Sequence, residues 1–341
     1  MDQLRSALVS DEEAVLAARA AWLYFAGGQT QAQIAQRLNV PNSKAHRLIA
    51  RASREGLIRV FVEGPIAGCV ALEEQLKTEF GLGHCEVVPN IDEGPLPLRT
   101  LGTAGARYLR NVLDHQEHGI IAVGHGRTLA AAIDFLPARP AEGVRFVSLL
   151  GGLTRRLAAN PFDVIHRLAE RTGAEAYVMP VPFFANSVED KAVLLSQYGV
   201  PEVVALARSA SLLIAGIGEV NLHAFLASGG MVGAEEIETV AEAGGCGEIL
   251  GHFFDENGAP VPTELSDRAL APDLDALRGR KIVALAGGTT KVRAVRAILR
   301  SHLLYGLITD ETTAGSLVDA NPEGQSGKNR SRKTAVAEVN L

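Results

Sequence analysis

The chain has 341 residues, of which 47% are apolar and 21% charged, and its formal net charge is −6. This length predicts two domains, or one domain with a small module, and the apolar fraction is ample for a sizeable core. The sequence contains no apolar run long enough to predict a transmembrane helix, and its first residues lack the pattern of a signal peptide. Cys69, Cys85 and Cys246 are odd in number and widely spaced, which predicts free thiols in a reducing cytoplasm.

Positive charge is concentrated near the N-terminus of this otherwise acidic chain. Between Thr30 and Val60, six basic residues stand against one acidic residue, Glu55, for a local balance of +5. Such a patch suits a modular DNA binder, because a few cations can meet the phosphates at close range while long-range repulsion is tolerated. A solvated helical face is the alternative interpretation of the same charges.

The first predicted helix spans residues 12–26 and ends at Gly27-Gly28. Helical spacing places four apolar residues on one stripe: Val15, Ala18, Trp22 and Phe25. A second, short helix follows, with Thr30 as its N-cap and Gln33 completing a capping box.

The third predicted helix is capped by Asn42 or Ser43 and extends to about Glu55. A short turn between two helices, with a basic outer face on the second, is the geometry that lets the second helix enter a major groove. The predicted DNA-contacting residues are Thr30, Gln31, Asn42, Ser43, Lys44, His46, Arg47 and Arg51. An ordinary three-helix bundle that binds nothing is the alternative.

Residues 57–62 alternate and are rich in β-formers, which predicts a short wing strand after the recognition helix. With Trp22 and Tyr24 preceding a T-Q-x-x-I-A motif, residues 20–62 resemble the DNA-binding domain of the SorC/DeoR-type sugar-responsive regulators. The stretch from Pro41 to Lys44 departs from the residues usual in that family, which leaves the operator sequence open.

From about Gly64, apolar segments alternate with amphipathic helical patterns. This alternation predicts an α/β fold with a doubly wound, Rossmann-like parallel sheet covered on both faces. Predicted helices include residues 98–113, 161–172, 187–198 and 291–299. The predicted buried strands are 85–88, 119–123, 145–149, 176–181, 212–217, 281–286 and 307–309.

Several predicted strands run into loops of small residues, where ligands bind in open α/β sheets. The loop 124–128 combines glycines with Arg127 and Thr128 at a helix start and so resembles an anion cradle. The turn 287–291 places two hydroxyls and Lys291 at another helix start, which suits a phosphate or a polyhydroxylated ligand. Neither loop has the spacing of a Walker A or dinucleotide motif.

Through these loops the resemblance extends over residues 64–315, which look like the sugar-binding domain of the same regulators, itself similar to sugar-phosphate isomerases and deaminases. The resemblance implies an effector over the strand ends. The implied effector contacts are Gly124, His125, Gly126, Arg127, Thr128, Gly152, Gly218, Glu219, Asp255, Gly288, Thr289 and Lys291.

Each of these residues also has a purely structural interpretation. Asp255 can form a turn, and Glu219 can be an acidic residue favoured by the dipole at a helix start. His125 can be a structural histidine, and Lys291 a solvated residue in the first turn of a helix. Phe183 belongs either to the core or to the wall of a cavity.

The domains expected are a helix-turn-helix domain at 1–62, an effector-binding and oligomerisation domain at 63–316, and a disordered polar tail at 317–341. The histidines show no shared ligand spacing, so neither a metal nor another cofactor is expected.

Two functions are compatible with the sequence. The first is a cytoplasmic transcriptional regulator of a carbohydrate or polyol catabolic operon, with repression the commoner mode. It would bind operator DNA as a dimer or tetramer under the control of a sugar, sugar phosphate or polyol. The second is a sugar-phosphate isomerase or deaminase with an accessory N-terminal module. The sequence shows no acid and histidine pair typical of the deaminases, which favours the regulator.

Overall fold

A computed structural model describes residues 2–55, 57, 67–91, 94–115, 118–152 and 163–319. The chain divides into two compact units, Met1–Gly64 and Pro65–Leu341.

Three helices form the first unit: α1 (Asp2–Phe25), α2 (Gln31–Leu38) and α3 (Asn42–Arg54). The predicted capping box is confirmed, since the Thr30 hydroxyl accepts from the Gln33 backbone N–H and the Gln33 side chain accepts from the Thr30 N–H. Asn39 closes α2 in the left-handed conformation (φ 52°). The predicted inner face of α3 is buried in the core of this unit: Ala45, Leu48, Ile49 and Ala52.

One expectation for this unit is wrong. The N-cap of α3 is Pro41, which makes no side-chain cap, so Asn42 and Ser43 lie inside the first turn of the helix. The stripe of Val15, Ala18, Trp22 and Phe25 does not face the core; the apolar residues of α1 that do are Ala17, Ala20, Ala21 and Leu23. Small residues at those positions let α2 and α3 approach closely. The predicted wing lies, apart from Leu57, outside the described residues.

The second unit alternates strands and helices. Its strands are β1 (His84–Val88), β2 (Ile120–Val123), β3 (Arg145–Ser148), β4 (Glu175–Tyr177), β5 (Leu212–Gly216), β6 (Gly218–Glu219), β7 (Gly247–Ile249), β8 (His252–Phe254), β9 (Ile282–Leu285) and β10 (Gly306–Asp310). Its helices are α4 (Ala67–Phe80), α5 (Leu98–His115), α6 (Arg127–Phe135), α7 (Ile165–Thr172), α8 (Val188–Leu195), α9 (Val200–Ser209), α10 (Phe225–Ser228), α11 (Ala234–Glu242), α12 (Glu264–Asp267), α13 (Leu274–Leu277), α14 (Val292–Arg300) and α15 (Glu311–Asp319), with a 3₁₀ turn at Thr289–Lys291.

A seven-stranded sheet in the order β1-β10-β9-β5-β2-β3-β4 forms the centre of the described part of this unit, and every pairing is parallel. The seven strands predicted from apolar runs are these seven, and no predicted end differs from the observed one by more than four residues. From β2 the chain proceeds outward through β3 to β4, whereas from β5 it proceeds the other way through β9 to β10. The carboxyl ends of β2 and β5 therefore flank a topological switch point.

Apolar cores cover both faces of the sheet, which confirms the doubly wound α/β fold. In β2, Ile121 and Val123 belong to the core beneath α5, α6 and α7, and Ala122 belongs to the core on the opposite face. A small antiparallel sheet, β6-β7-β8, packs with the latter core and was not predicted, because its strands have only two or three residues. The expected tail begins three residues early, since α15 continues to Asp319; residues 320–341 lie outside the described ranges.

Candidate effector-binding cleft

A cleft opens at the carboxyl ends of β2 and β5, at the switch point of the sheet. It holds about 610 Å³ of empty space, part of it open to solvent. Eight of the twelve predicted effector residues line it: Gly124, His125, Gly126, Arg127, Thr128, Gly218, Glu219 and Lys291. These residues could be predicted as neighbours because parallel strands end at one edge of the sheet.

The loop after β2 forms one side of the cleft. Gly124 donates its N–H to the Ile214 carbonyl (2.8 Å), which ties the loop to β5. Gly126 has φ 134°, a backbone conformation that side chains rarely allow, and directly precedes α6. The first N–H groups of that helix have no partner within the helix and favour an anion or a hydroxyl oxygen.

Arg127 and Thr128 bring two side-chain donors to the same place. Thr128 is 4% exposed, and within the described ranges neither its hydroxyl nor the Arg127 guanidinium forms a hydrogen bond or an ion pair. Donors that have no partner in the protein and face a cleft can donate to a polar ligand in place of water. This side of the cleft therefore offers groups that a polar ligand can satisfy.

Lys291 ends the 3₁₀ turn after β9 and enters the cleft from the opposite side. Its ammonium donates to the Ile217 carbonyl (2.7 Å), and only 9% of the residue is exposed. Burial lowers the pKa of Lys291 to about 8, assisted by Arg127 and opposed by Glu219 and Glu248. The sequence therefore located Lys291 correctly in the cleft, and its interpretation as a solvated residue does not hold.

Glu248 lines the cleft and was missed as a ligand-facing residue. It lies in β7, is 7% exposed and accepts from the Gly251 N–H (2.7 Å). Burial raises its pKa to about 7, against the opposing effects of the Gly251 hydrogen bond and the Lys291 charge. The available signal was its place in the glycine-rich stretch 245–248, but only the pairing of β6 with β7 brings this acid to the cleft.

Glu219 supplies a second carboxylate. Its two oxygens accept from the Asn221 amide (3.3 Å) and the Thr290 hydroxyl (3.4 Å), both long contacts. The adjacent Gly218 lies against Glu248, such that a Cβ at this position would come within 2.4 Å of a Glu248 carboxylate oxygen. Glycine here allows β6 to approach the buried acid.

The remaining wall is aromatic and aliphatic. The His125 ring meets Phe183 and Phe225 edge to face, with centroids 5.3 and 5.6 Å apart. Burial lowers the pKa of His125 to about 4, so its ring is neutral at physiological pH. Leu150 and Leu250 complete this wall. An apolar wall facing cations, carboxylates and hydroxyls matches a small ligand that has both C–H surface and polar groups.

Known proteins resemble this chain over most of its length. Residues 64–319 match the Sugar-bind family model, a sugar-binding domain. The chain is 51% identical over 317 residues to the erythritol catabolism regulatory protein EryD of Brucella abortus, covering 93% of this chain and 100% of that protein. The chain belongs to the SorC/DeoR-type family of sugar-binding transcriptional regulators. It is also 33% identical over 322 residues to the transcriptional regulator LsrR of an Enterobacter species, covering 93% and 97% of the two chains.

A solved structure agrees with this assignment. The full-length sorbitol operon regulator SorC from Klebsiella pneumoniae superposes with a TM-score of 0.64 at 26% identity, covering 90% of this chain and 99% of that one. The chain is accordingly a sugar-binding transcriptional regulator, and the alternative of an isomerase or deaminase is not supported.

Four residues predicted to contact the effector lie elsewhere in the regulator. Asp255 closes the turn after β8, where one carboxylate oxygen accepts from the Asn257 N–H (2.9 Å) and the Ala259 N–H (2.8 Å). This is the turn-forming role weighed as its alternative. Gly152 does not line the cleft.

Hydrogen bonds to the end of β10 and the start of α15 fix the turn 287–291. The Gly288 N–H donates to the Asp310 carboxylate and the Thr313 hydroxyl, both at 2.8 Å, so it has no donor left for an effector. Thr289 is exposed outside the cleft. Asp310 and Thr313 thus fix the turn that delivers Lys291.

The predicted DNA-contacting residues of this regulator are only partly free. His46 and Arg47 are exposed on α3, and Lys44 is half-buried. Arg51 instead bridges two acids, donating to Glu13 of α1 (3.0 Å) and to Glu55 (2.6 Å). Its charge is therefore partly compensated within the unit, and its contact with DNA stays a prediction.

The other four predicted DNA-contacting residues surround the turn. Thr30 is engaged in the capping box, Gln31 begins α2, and Asn42 and Ser43 are exposed in the first turn of α3.

In the described ranges, no group of three or more His, Cys, Asp or Glu side chains is arranged to hold a metal ion. The described helices include none that is long and apolar enough to span a membrane.

Proposed function

We propose that this regulator represses genes for the catabolism of a short polyol, and that a polyol or its phosphate in the cleft releases it from DNA. The relative that is 51% identical over nearly the whole chain is a regulator of erythritol catabolism, which supports a four-carbon polyol as the effector class. The observation that carries the proposal is a pair of side-chain donors without a protein partner among the described residues, Arg127 and Thr128, which face Lys291 and two carboxylates across one cleft.

Each side of the cleft suits one part of such an effector. Arg127, Thr128 and the N-terminus of α6 would hold a phosphate or a terminal hydroxyl. Glu219 and Glu248 would accept from the hydroxyls along the carbon chain. The C–H groups would lie against Phe183 and its apolar neighbours.

DNA binding is assigned to α3, with Arg47, His46 and Lys44 directed to the major groove and the phosphates. One recognition helix makes too few contacts for a specific site, so the active species is a homo-oligomer, a dimer or tetramer on repeated half-sites. The effector would act by binding one arrangement of that oligomer more tightly than the other.

Thermal unfolding of the full-length protein tests the effector. A ligand that binds only the folded state raises the midpoint, so erythritol, its monophosphate and inorganic phosphate are compared as ligands. The polyol or its phosphate should raise the midpoint, and Arg127→Ala should reduce that rise most for the phosphorylated ligand. Arg145→Ala is the matched control, because this exposed arginine begins β3 and so lies at the amino ends of the strands, opposite the cleft. No rise with any polyol, sugar or sugar phosphate would refute the sensing role.

Footprinting on DNA upstream of the gene for this protein tests the regulatory role. Protected repeats are expected, and Arg47→Ala should remove the protection while leaving the thermal response to the effector unchanged. Absence of protection at low salt would contradict DNA binding.

A further inference from the structure

A row of apolar residues on α1 faces solvent. Val15, Trp22 and Phe25 are 63%, 65% and 50% exposed, and Ala18 is exposed between them. Each helical residue turns the chain by roughly 100°, so this row lies on the opposite side of α1 from Ala20 and the other residues buried in the core. A surface helix with one partner is polar on its outer side. Apolar residues on both sides indicate a second partner for α1.

The spacing of this row matches the seam of a two-helix coiled coil. The four residues recur at intervals of three, four and three, and in the sequence the same pattern continues to Leu8 and Leu4. A period of 3.5 keeps a seam facing another helix over several turns, which packing within a small bundle does not require. The pattern favours another long helix as the occupant.

Charge and length identify that helix. The positions of Glu12 and Arg19 flank the seam on the same side, seven residues apart and opposite in charge. When two copies of α1 lie antiparallel, position 12 of each copy comes near position 19 of the other, and the sequence has opposite charges at these two positions. The 24 residues of α1 span about three heptads, and a second α1 has the same length. A two-fold contact of this kind uses one surface twice.

We propose that α1 pairs with α1 of a second copy of this chain in antiparallel orientation, through Val15, Ala18, Trp22 and Phe25. The pair joins two DNA-binding units and so sets the separation of their α3 helices. Its purpose rests on the proposed function, because only a protein that reads repeated half-sites needs two recognition helices at a fixed distance. The contact itself is independent of DNA and of effector.

Trp22 is the only tryptophan in the chain, so its fluorescence reports directly on this surface. In the full-length protein without DNA or effector, we expect blue-shifted emission and protection from acrylamide. Ala18→Glu places a charge in the seam and should shift the emission to the red and restore quenching. Gln36→Glu, at an exposed position of α2, is the matched control and should change neither. Fully quenchable, red-shifted emission from the unaltered protein would overturn the proposal.

Cysteine cross-linking identifies what covers Trp22. The three native cysteines are buried, so the full-length protein accepts single exposed cysteines at positions 15, 18, 25 and 36. In the antiparallel pair, Val15→Cys and Ala18→Cys lie near the two-fold axis and should form covalent dimers with a short bis-maleimide. Residue 25 lies about 25 Å from its counterpart in the antiparallel pair, at a rise of 1.5 Å per residue, so Phe25→Cys should not form covalent dimers. Gln36→Cys, on α2, should not form them either.

Every other result contradicts the pairing. Protection of Trp22 without cross-links would show that the chain covers its own stripe. Strong cross-linking at position 25 would indicate a parallel pair, and equal cross-linking at position 36 would indicate random collision. These measurements need neither DNA nor effector. A failed footprint would therefore refute the proposed function without affecting the α1 contact, and absence of cross-links would refute the α1 contact without affecting the proposed function.

Discussion

Lys291→Met should abolish the response to effector without destabilising the free protein. The pKa of Lys291 falls from an ordinary 10.5 to about 8 in the folded chain. At about 1.4 kcal/mol per pH unit, the fold therefore holds this ammonium about 3 kcal/mol less favourably than water does. Methionine has a similar length and no charge. Its only direct cost is the unpaired Ile217 carbonyl, about 1–3 kcal/mol, so the net change should lie between no effect and a gain of about 2 kcal/mol.

The sign of the pH dependence follows from the same shift. Between about pH 8 and 10.5 the unfolded chain binds the Lys291 proton and the folded chain does not, so stability rises with pH across this window. The unfavourable contribution of the ammonium is complete below pH 8. The advantage of Lys291→Met over the unaltered protein should therefore be largest below pH 8 and shrink above it.

Thermal unfolding with and without polyol phosphate measures both effects. For a domain of this size, 1 kcal/mol moves the midpoint by about 2–4 °C, so Lys291→Met should melt at the same temperature or a few degrees higher and show no rise with ligand. Lys77→Met, near the surface in an ion pair with Glu74, controls for the loss of one lysine and should keep the full response. A destabilisation of more than about 3 kcal/mol, as for removal of one partner from a well-paired buried ion pair, would refute the reasoning.

Three further predictions concern single residues. The pKa of Glu248 is raised from 4.5 to about 7, so the unaltered protein should lose stability as the pH rises through that window, and urea titrations should show that Glu248→Gln removes this dependence. Gly218→Ala places a Cβ 2.4 Å from a carboxylate oxygen of Glu248, so it should displace this acid and reduce effector affinity in calorimetry. Gly119→Ala, with nothing within 4 Å of its new Cβ, should not, and equal effects would contradict the geometry. Arg51→Ala should lower the melting temperature of the N-terminal unit through its lost ion pairs, while Arg47→Ala should weaken DNA binding alone. The opposite result in melting and gel-shift experiments would show that Arg51 contacts DNA.

The main sheet and eight of the residues that line the cleft could be predicted because both depend on local patterns. A fully buried parallel strand is a continuous apolar run, and strands that end in glycine and hydroxyl residues meet at one edge. Thr30 and Gln33 predicted the start of α2 because a capping box is complete within four residues. These features need no knowledge of which segments pair.

The failures share a dependence on distant contacts. Glu248 reaches the cleft only because β7 pairs with β6, across about thirty residues of chain. Gly288 looked like a ligand contact, but its N–H donates to Asp310 at the end of β10 and to Thr313 in α15, more than twenty residues away. Asp255 is the exception, because its carboxylate accepts from the N–H groups of Asn257 and Ala259 in its own turn, which was the alternative interpretation. In α1, two apolar rows compete: helical spacing picked out the row with the larger side chains, but the row that is buried contains Ala17, Ala20, Ala21 and Leu23. Close packing of α1 against α2 and α3 selects alanines for the inner row.

The free cleft is an unfavourable arrangement that a polyol can relieve. Lys291 and Glu248 are buried, and each has a pKa moved toward its neutral form, while Arg127 and Thr128 lack partners among the described residues. Hydroxyls from a bound polyol would hydrogen-bond to groups that burial leaves poorly solvated. The binding energy is therefore largest for the cleft geometry that brings all four groups onto one ligand, and a regulator that alternates between two arrangements would be drawn to that geometry. Because such coupling is limited by the difference in affinity between the two arrangements, substitutions at Lys291 or Glu248 should weaken the release of DNA by effector more than they weaken DNA binding itself.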